Sequence, residues 1–166
     1  MTSTRSVVKT LLWLMAGAWL ALAGCASSRP PQPVRVKTFF NAAADLNPDA
    51  TGRASPLVVR VFELRSDAEF TAADFFAIYE HERETLGSSL VSREEYVLQP
   101  GEHRELWLPM SRDATFVGVI GAFRDIRGAR WRTVASAPRK TATDMFSRDT
   151  VTLAASHGGI TLAVKN

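Results

Sequence analysis

The sequence contains few of the residues that would place it in a non-globular or cysteine-rich class. Its 166 residues include a single cysteine, Cys25, which excludes an intrachain disulfide framework and any zinc or iron–sulfur site built from several cysteines. Ten glycines, eight prolines and a net charge of +3 are ordinary, so a collagen-like or wholly disordered chain is excluded as well. The length allows one domain with short appendages.

Residue patterns typical of catalysis are also scarce. A glutamate follows His81 as in the zinc-protease helix, but Thr85 stands where the second ligand would be. No serine lies in a nucleophile elbow, no glycine-rich phosphate cradle is present, and the adjacent Glu94 and Glu95 would point to opposite faces of a strand. We therefore expect no enzyme activity, no metal and no cofactor. The histidines lack any metal-ligand spacing; they are His81, His103 and His157.

The N-terminal segment has the order of regions found in a bacterial lipoprotein signal peptide. Arg5 and Lys9 precede Leu11–Ala23, an apolar run without charge that is shorter than the roughly 20 residues of a membrane-spanning helix. Small residues before a cysteine let the peptide enter the signal peptidase, and the thiol is the nucleophile that diacylglycerol alkylates. The segment ends in such a lipobox, formed by Leu22, Ala23, Gly24 and Cys25.

The lipobox predicts a signal peptide over residues 1–24 and a lipidated Cys25. Diacylglyceryl and N-acyl groups together supply the two or three chains that anchor a protein stably. Ala26 is not the aspartate that favours retention in the inner membrane, so the inner leaflet of the outer membrane is expected, with the domain facing the periplasm. Cleavage also removes Arg5 and Lys9 but no acidic residue, which leaves a nearly neutral chain with no electrostatic footprint for nucleic acid.

The rest of the chain divides into a tether at residues 25–33 and a domain at residues 34–166. The tether is proline-rich and would span about 25 Å when extended. Short β-rich segments and turns then follow, and about eight strands predict a mainly β, two-sheet sandwich rather than a parallel α/β sheet. The predicted strands are Val34–Phe40, Leu57–Leu64, Arg93–Leu98, Glu102–Leu108, Thr115–Phe123, Arg130–Ala135, a segment around Val151–Leu153 and a segment around Ile160–Val164.

One helical segment interrupts the strands. Thr71 and Asp74 resemble a capping box, with the Thr71 hydroxyl accepting from a backbone N–H, and Gly87 is a plausible end. Apolar residues recur at helical spacing after this cap, and we interpret them as a core-facing stripe of a helix that lies on the sandwich, the alternative being a binding groove. The stripe is Ala72, Phe75, Phe76 and Tyr79.

Two connections are longer than a hairpin requires: Asn41–Pro56 and Ser136–Asp149. The first contains Asn47-Pro48-Asp49 and Gly52, which is the composition of a compact, ordered loop. Long ordered loops on a rigid scaffold commonly bind partners, and the alternative is a tolerated insertion.

Several stretches, in their order and spacing, resemble a known family. They are the lipobox, NAAADLNPDATGRASPLVVRVFEL, DFFAIYE with TLGSSLV, QPGEHRELWL and GVIGAFRDIRGARWR. Together they resemble the TssJ (SciN/VasD) lipoproteins of bacterial type VI secretion systems over essentially the whole chain. The resemblance implies a transthyretin-like β-sandwich with an added helical element.

The resemblance also implies a structural role at the outer membrane. Members of this family bind the periplasmic C-terminal domain of the inner-membrane subunit TssM and, together with TssL, form an envelope-spanning complex. The loop between the first two strands is the partner-contact element, which places the candidate contacts of this chain at Leu46, Asn47, Pro48, Asp49 and Arg53. Structural roles are expected for Trp131 as a core residue and for the neighbouring charges as local pairs at a hairpin tip: Arg124, Asp125 and Arg132.

A second function remains open from the sequence. A periplasmic lipoprotein of this architecture could use its sandwich to bind a small ligand or a glycan. That function requires a concave pocket or exposed aromatic side chains on one sheet face, and Trp107 is the candidate for the latter.

Overall fold

The computed structural model describes residues 32–138 and 146–165. The predicted signal peptide, the predicted lipobox with Cys25, Ala26 and the predicted tether as far as Pro31 lie outside the described residues, as do Arg139 and Lys140. No helix in the described part of the chain is long and apolar enough to cross a membrane. The strands are β1 (Val34–Ala42), β2 (Leu57–Leu64), β3 (Leu90–Leu98), β4 (His103–Met110), β5 (Phe116–Gly121), β6 (Arg132–Ser136), β7 (Phe146–Ser156) and β8 (Gly159–Lys165).

The eight strands form two four-stranded sheets, which confirms the predicted mainly β sandwich. Sheet A has the order β4-β1-β7-β8, and sheet B has the order β3-β2-β5-β6. Every pairing is antiparallel except that of β1 with β7, which is parallel. A parallel pair cannot be joined by a tight hairpin and needs a long connection. Here the two parallel strands are the first and the seventh of the chain.

Four connections lie together at one end of the sandwich, which we call the loop end. They are the β1–β2, β3–β4, β5–β6 and β7–β8 connections. The chain enters β1 from the opposite end, where the β2–β3, β4–β5 and β6–β7 connections also lie.

The main core lies between the two sheets and follows the two-residue period of the strands. On β1 the even positions from Val34 to Ala42 are buried and the odd ones face out, as expected when one sheet face is covered. Phe40, Leu153 and Leu57 are among the fully buried side chains of this cluster. Each contributes roughly 1.5–3 kcal/mol by leaving water.

A second core lies on the outer face of sheet B, under three short helices: α1 (Ala68–Ala72), α2 (Phe75–Glu80) and α3 (Glu82–Leu86). β5 serves both cores, because Val117 and Val119 face sheet A while Ile120 faces the helices. The ring of Phe70 lies against Gly118, where a Cβ would come within 2.7 Å of it. The helical element therefore lies on the sandwich, as predicted.

The prediction of one continuous helix capped by Thr71 is wrong. α1 ends at Ala72, Ala73 is extended, and Asp74 is the cap of α2, accepting a hydrogen bond from the backbone N–H of Ala77 at 2.9 Å. The Thr71 hydroxyl instead donates to backbone carbonyls in its own helix, including that of Asp67 at 2.9 Å. Asp74 is itself a strong N-cap residue, so the new helix begins there.

This break also divides the predicted apolar stripe. Phe75 and Tyr79 stack on one another and pack against the second core, and Phe75 meets Trp131 edge-on. Phe76 is 59% exposed, and Ala72 is exposed as well, so these two residues are not core. Ala72 belongs to the preceding helix, and within the second helix the core-facing side is formed by Phe75, Ile78 and Tyr79, so Phe76 lies off it.

The second long connection is shorter than predicted. β7 begins at Phe146 and pairs with β1 from Phe146 to Ala155, so the predicted loop Ser136–Asp149 includes the start of a strand. The Gln99–Gly101 turn occurs where predicted, but it carries the chain from sheet B to sheet A and does not close a hairpin.

Candidate functional site

The β1–β2 loop is the longest connection at the loop end, and the topology explains its length. β1 belongs to sheet A and β2 to sheet B, so the chain must cross between the sheets. The crossing is ordered by contacts at both of its margins. Ala43 donates its backbone N–H to Ala155 O at 2.8 Å and accepts from Gly101 N at 3.1 Å, which ties the start of the loop to the end of β7 and to the β3–β4 connection.

Asn47 joins the loop to itself and to the β5–β6 connection. Its side-chain Nδ2 donates to Pro56 O at 2.7 Å, and its Oδ1 accepts from the backbone N–H of Arg124 at 2.9 Å. Its backbone is left-handed, with φ of 45°, a region that asparagine tolerates better than most residues. Asn47 is buried, so its side chain acts as an internal brace.

Leu46 anchors the same segment to the main core. Its side chain is fully buried in the cluster between the sheets, and its carbonyl accepts from Ser55 N at 2.9 Å. The two limbs of the loop are thereby hydrogen-bonded beside a buried leucine. Leu46 and Asn47 consequently hold the loop in shape and present no side chain to a partner in this conformation.

Asp49 organises the tip of the loop. Its Oδ1 accepts from Thr51 Oγ1 at 2.6 Å, from Thr51 N at 2.9 Å and from Arg53 N at 3.0 Å, while its Oδ2 accepts from Arg53 Nε at 3.2 Å. The Thr51 hydroxyl, followed by the backbone N–H groups of Arg53 and Thr51, holds the pKa of Asp49 below its ordinary value because all of them favour the carboxylate. Gly52, with φ of 80°, permits the turn.

The tip of the loop, from Ala50 to Arg53, is exposed, and so are Ala44, Asp45 and Pro56 at its two ends. The Arg53 side chain is 83% exposed although its Nε bonds Asp49. Pro48 is half-buried beside this tip. Of the five predicted contact residues, the structure thus leaves Arg53 fully open to solvent and Pro48 and Asp49 partly so.

Two neighbouring connections brace the β1–β2 loop from the side. His157 Nδ1 lies 2.6 Å from Asp45 Oδ2, which joins the β7–β8 hairpin to the loop. The same hairpin bonds the β5–β6 connection through Arg130 N to Gly158 O at 3.1 Å. A Cβ on Gly159 would lie 2.6 Å from Arg130 O, so only glycine permits this approach. The loop end is therefore one rigid, cross-braced surface.

Asp45 and His157 were not predicted as members of this surface. They are 112 residues apart in the chain, and neither lies in a motif that indicates the other. The left-handed Asn47 carried a local signal in the Asn-Pro-Asp sequence, which is typical of turns. Its bond to Arg124 N had no such signal.

The charges of the β5–β6 connection behave only partly as predicted. Asp125 accepts from Gly128 N at 3.0 Å and so shapes the tip. Arg132 pairs with no acid within residues 32–138 and 146–165; it donates from Nη1 to the carbonyls of Phe70 and Ala73, both at 2.7 Å, which secures α1 to sheet B. Among the described residues Arg124 forms no ion pair. Trp131, which was predicted to be a core residue, is half-buried and contacts both cores.

The histidines lie apart from one another and remain exposed. His103 Nδ1 is 3.0 Å from Asn41 Oδ1, and His81 lies 4.0 Å from Glu84. No group of three potential metal ligands occurs among residues 32–138 and 146–165. An open hollow of about 430 Å³ lies beside His103, and its wall consists largely of alanine and glycine.

Trp107 is the exposed tryptophan that the sequence suggested as a ligand contact. It is 39% exposed on the outer face of sheet A and meets Phe146 edge-on, with ring centroids 5.2 Å apart. The two rings form an aromatic patch on the outer face of sheet A.

Comparison with known proteins identifies the family of this fold. Residues 34–157, about three quarters of the chain, match the family model described as type VI secretion lipoprotein, VasD, EvfM, TssJ. The crystal structure of the T6SS lipoprotein TssJ1 from Pseudomonas aeruginosa is 32% identical with a TM-score of 0.72, and the match covers 81% of this chain and 98% of that one. No curated protein sequence matches the chain significantly.

Two other solved structures are similar. Serratia marcescens Lip, a membrane-bound component of the type VI secretion system, is 27% identical with a TM-score of 0.68, covering 79% of this chain and 98% of that one. A chain of the structure of the T6SS protein TssM C-terminal domain from EAEC is 25% identical with a TM-score of 0.61, covering 77% of this chain and 99% of that one. The chain therefore belongs to the TssJ family of type VI secretion lipoproteins.

Proposed function

We propose that this protein is a non-enzymatic structural lipoprotein of the type VI secretion membrane complex, anchored in the outer membrane and bound to the periplasmic domain of TssM. The observation that carries the proposal is the braced β1–β2 loop, which presents its tip at the end of the sandwich opposite to the start of β1. A rigid exposed loop binds with little loss of conformational entropy. TssL would be connected through TssM.

The family and the fold support this partner. Membership of the TssJ family supports a role in the secretion complex, and the similarity to a chain of the TssM C-terminal domain structure supports TssM as the protein bound. The main part of the contact is assigned to Pro48, Asp49 and Arg53, with Leu46 and Asn47 holding the loop.

Capture of the TssM periplasmic domain tests the loop assignment. The acylated full chain, solubilised in mild detergent, is compared with Arg53→Glu and with Arg83→Glu, which makes the same charge reversal at an exposed position on α3. We expect Arg53→Glu to weaken capture about tenfold or more, because a reversed charge at an interface is strongly unfavourable. Equal capture by the two variants would contradict the assignment.

The anchor is tested separately. Cys25→Ser should abolish palmitate labelling and release the domain from membranes, since the thiol is the acylated group. Ala26→Asp should move the acylated protein from outer-membrane to inner-membrane fractions of a density gradient. Labelling that survives at position 25 would show that the lipobox is misassigned, and an unchanged gradient position would contradict outer-membrane sorting through Ala26.

Binding of a small ligand or glycan remains the alternative function. The hollow beside His103 gives it little support, because His103 is already hydrogen-bonded to Asn41 and the remaining wall offers few polar groups.

A further inference from the structure

The outer face of sheet A carries an exposed aromatic pair that the proposed loop contact does not use. Trp107 and Phe146 are 39% and 49% exposed and touch one another edge-on. They lie toward the start of β1, since Trp107 pairs with Lys37 and Phe146 pairs with Arg35. Large apolar side chains grouped on one exposed face indicate a surface that is covered in the working state.

Cations surround this pair. Trp107, Lys37, Thr150 and Lys165 form one row across the four strands and share the outer face. Arg35 lies in the next row and bonds the carbonyl of Trp107 at 3.4 Å. One carboxylate occupies an outer-face position among the described strand residues of this sheet, Glu105, and it is ion-paired with Lys37 at 2.8 Å. The face is therefore aromatic and basic, although the mature chain as a whole is nearly neutral.

The chain enters the domain beside this face. Gln32 is held next to β1 by Arg112 Nε, which donates to its carbonyl at 3.2 Å. Cys25 precedes Gln32 by seven residues, which span at most about 25 Å when fully extended. An acylated Cys25 would therefore keep the aromatic face within reach of lipid headgroups.

From this placement we infer that the outer face of sheet A around Trp107 and Phe146 rests on the membrane surface. The ligand is a phospholipid layer that contains anionic headgroups. The rings enter the interfacial region, and Arg35 and Lys165 meet the phosphates. The inference rests on the proposed acylation of Cys25. It leaves the loop end free, because the β1–β2 loop lies at the other end of β1.

Quenching by brominated lipids tests this contact. The mature chain contains two tryptophans, so Trp131→Phe reports on Trp107 alone, and Trp107→Phe reports on Trp131 at the loop end. Each acylated protein is reconstituted in vesicles of phosphatidylethanolamine and phosphatidylglycerol in which a fraction of the lipid is brominated. We expect loss of most Trp107 emission and little loss of Trp131 emission.

The basic residues are tested in the same assay. Arg35→Gln together with Lys165→Gln should reduce the quenching of Trp107, and so should replacement of phosphatidylglycerol by phosphatidylcholine. Capture of the TssM domain by this variant should equal that of the unchanged protein, which shows that the fold is intact.

Absence of Trp107 quenching in an anchored protein would overturn the inference. A second result would also overturn it. If brominated lipids do not quench Trp107 but added peptidoglycan fragments change its emission, the face binds a glycan and not a membrane. Failure of the anchor itself is distinguishable, because an unacylated protein would carry no palmitate label.

Discussion

Replacement of Asn47 by alanine should loosen the loop end and destabilise the whole domain. The side chain makes two hydrogen bonds, to Pro56 O and from Arg124 N, and both are partly buried. Leaving a buried donor or acceptor unpaired costs about 1–3 kcal/mol, and partial access of water places each loss near the lower end of that range. Alanine at φ of 45° adds about 1 kcal/mol of backbone strain. The free energy of unfolding should therefore fall by about 3 kcal/mol.

Urea denaturation followed by circular dichroism measures this fall, and a second variant separates its causes. Asn47→Gly loses the same hydrogen bonds but tolerates the left-handed backbone, so its loss should be about 1 kcal/mol smaller than that of the alanine variant. Both variants should also capture the TssM domain less well, because an unbraced loop must be ordered on binding.

Two results would refute the reasoning on Asn47. A fall of less than about 1 kcal/mol for the alanine variant would mean that the two bonds are replaced by water at no cost. An equal fall for alanine and glycine would mean that the left-handed conformation is not maintained in solution.

Three further predictions follow from particular contacts. Gly118→Ala places a Cβ against the ring of Phe70 and should lower the free energy of unfolding, measured in urea, by about 1–3 kcal/mol. The control Gly158→Ala has open space around it and should lower it by less than about 1 kcal/mol. Equal losses would show that the helical layer adjusts freely. Because the pKa of Asp49 is lower in the folded state than its ordinary value, its contribution to stability is present above pH 3.8 and is lost as the pH falls through the folded pKa. Asp49→Asn should therefore flatten the acid limb of a stability–pH profile, and an unchanged limb would speak against the turn. Arg132→Met should cost about 2 kcal/mol, because the carbonyls that accept from the guanidinium lose a charged donor, and an unaltered urea midpoint would disprove this bond.

Most strands could be predicted from the sequence because the residue pattern that specifies a strand is local. The β-branched and apolar composition of Leu57–Leu64 and the alternation of apolar residues in the segment around Ile160–Val164 predict strands, and the structure has β2 and β8 there. Thr115–Phe123 predicted a central strand through apolar residues on both faces, and β5 is covered on one side by sheet A and on the other by the helices.

The helical region shows where local reading failed. The spacing of Phe75 and Phe76 after Thr71 fits a helix, but it does not reveal that Asp74 starts a second one. Which of two plausible caps is used depends on the packing of Phe70 against Gly118 and on the bonds from Arg132, and these contacts cross about 50–60 residues of sequence.

The sequence by itself determined the mainly β class and the family and predicts the lipobox around Cys25, because each of these is encoded by short-range patterns or by the order of motifs. The tertiary structure alone decided that β1 pairs in parallel with β7, that Asn47 braces the loop while Arg53 remains exposed, and that Trp107 meets Phe146 on a basic face. Strand pairing, burial and the meeting of distant side chains depend on free energies summed over the whole chain, and no local pattern records that sum.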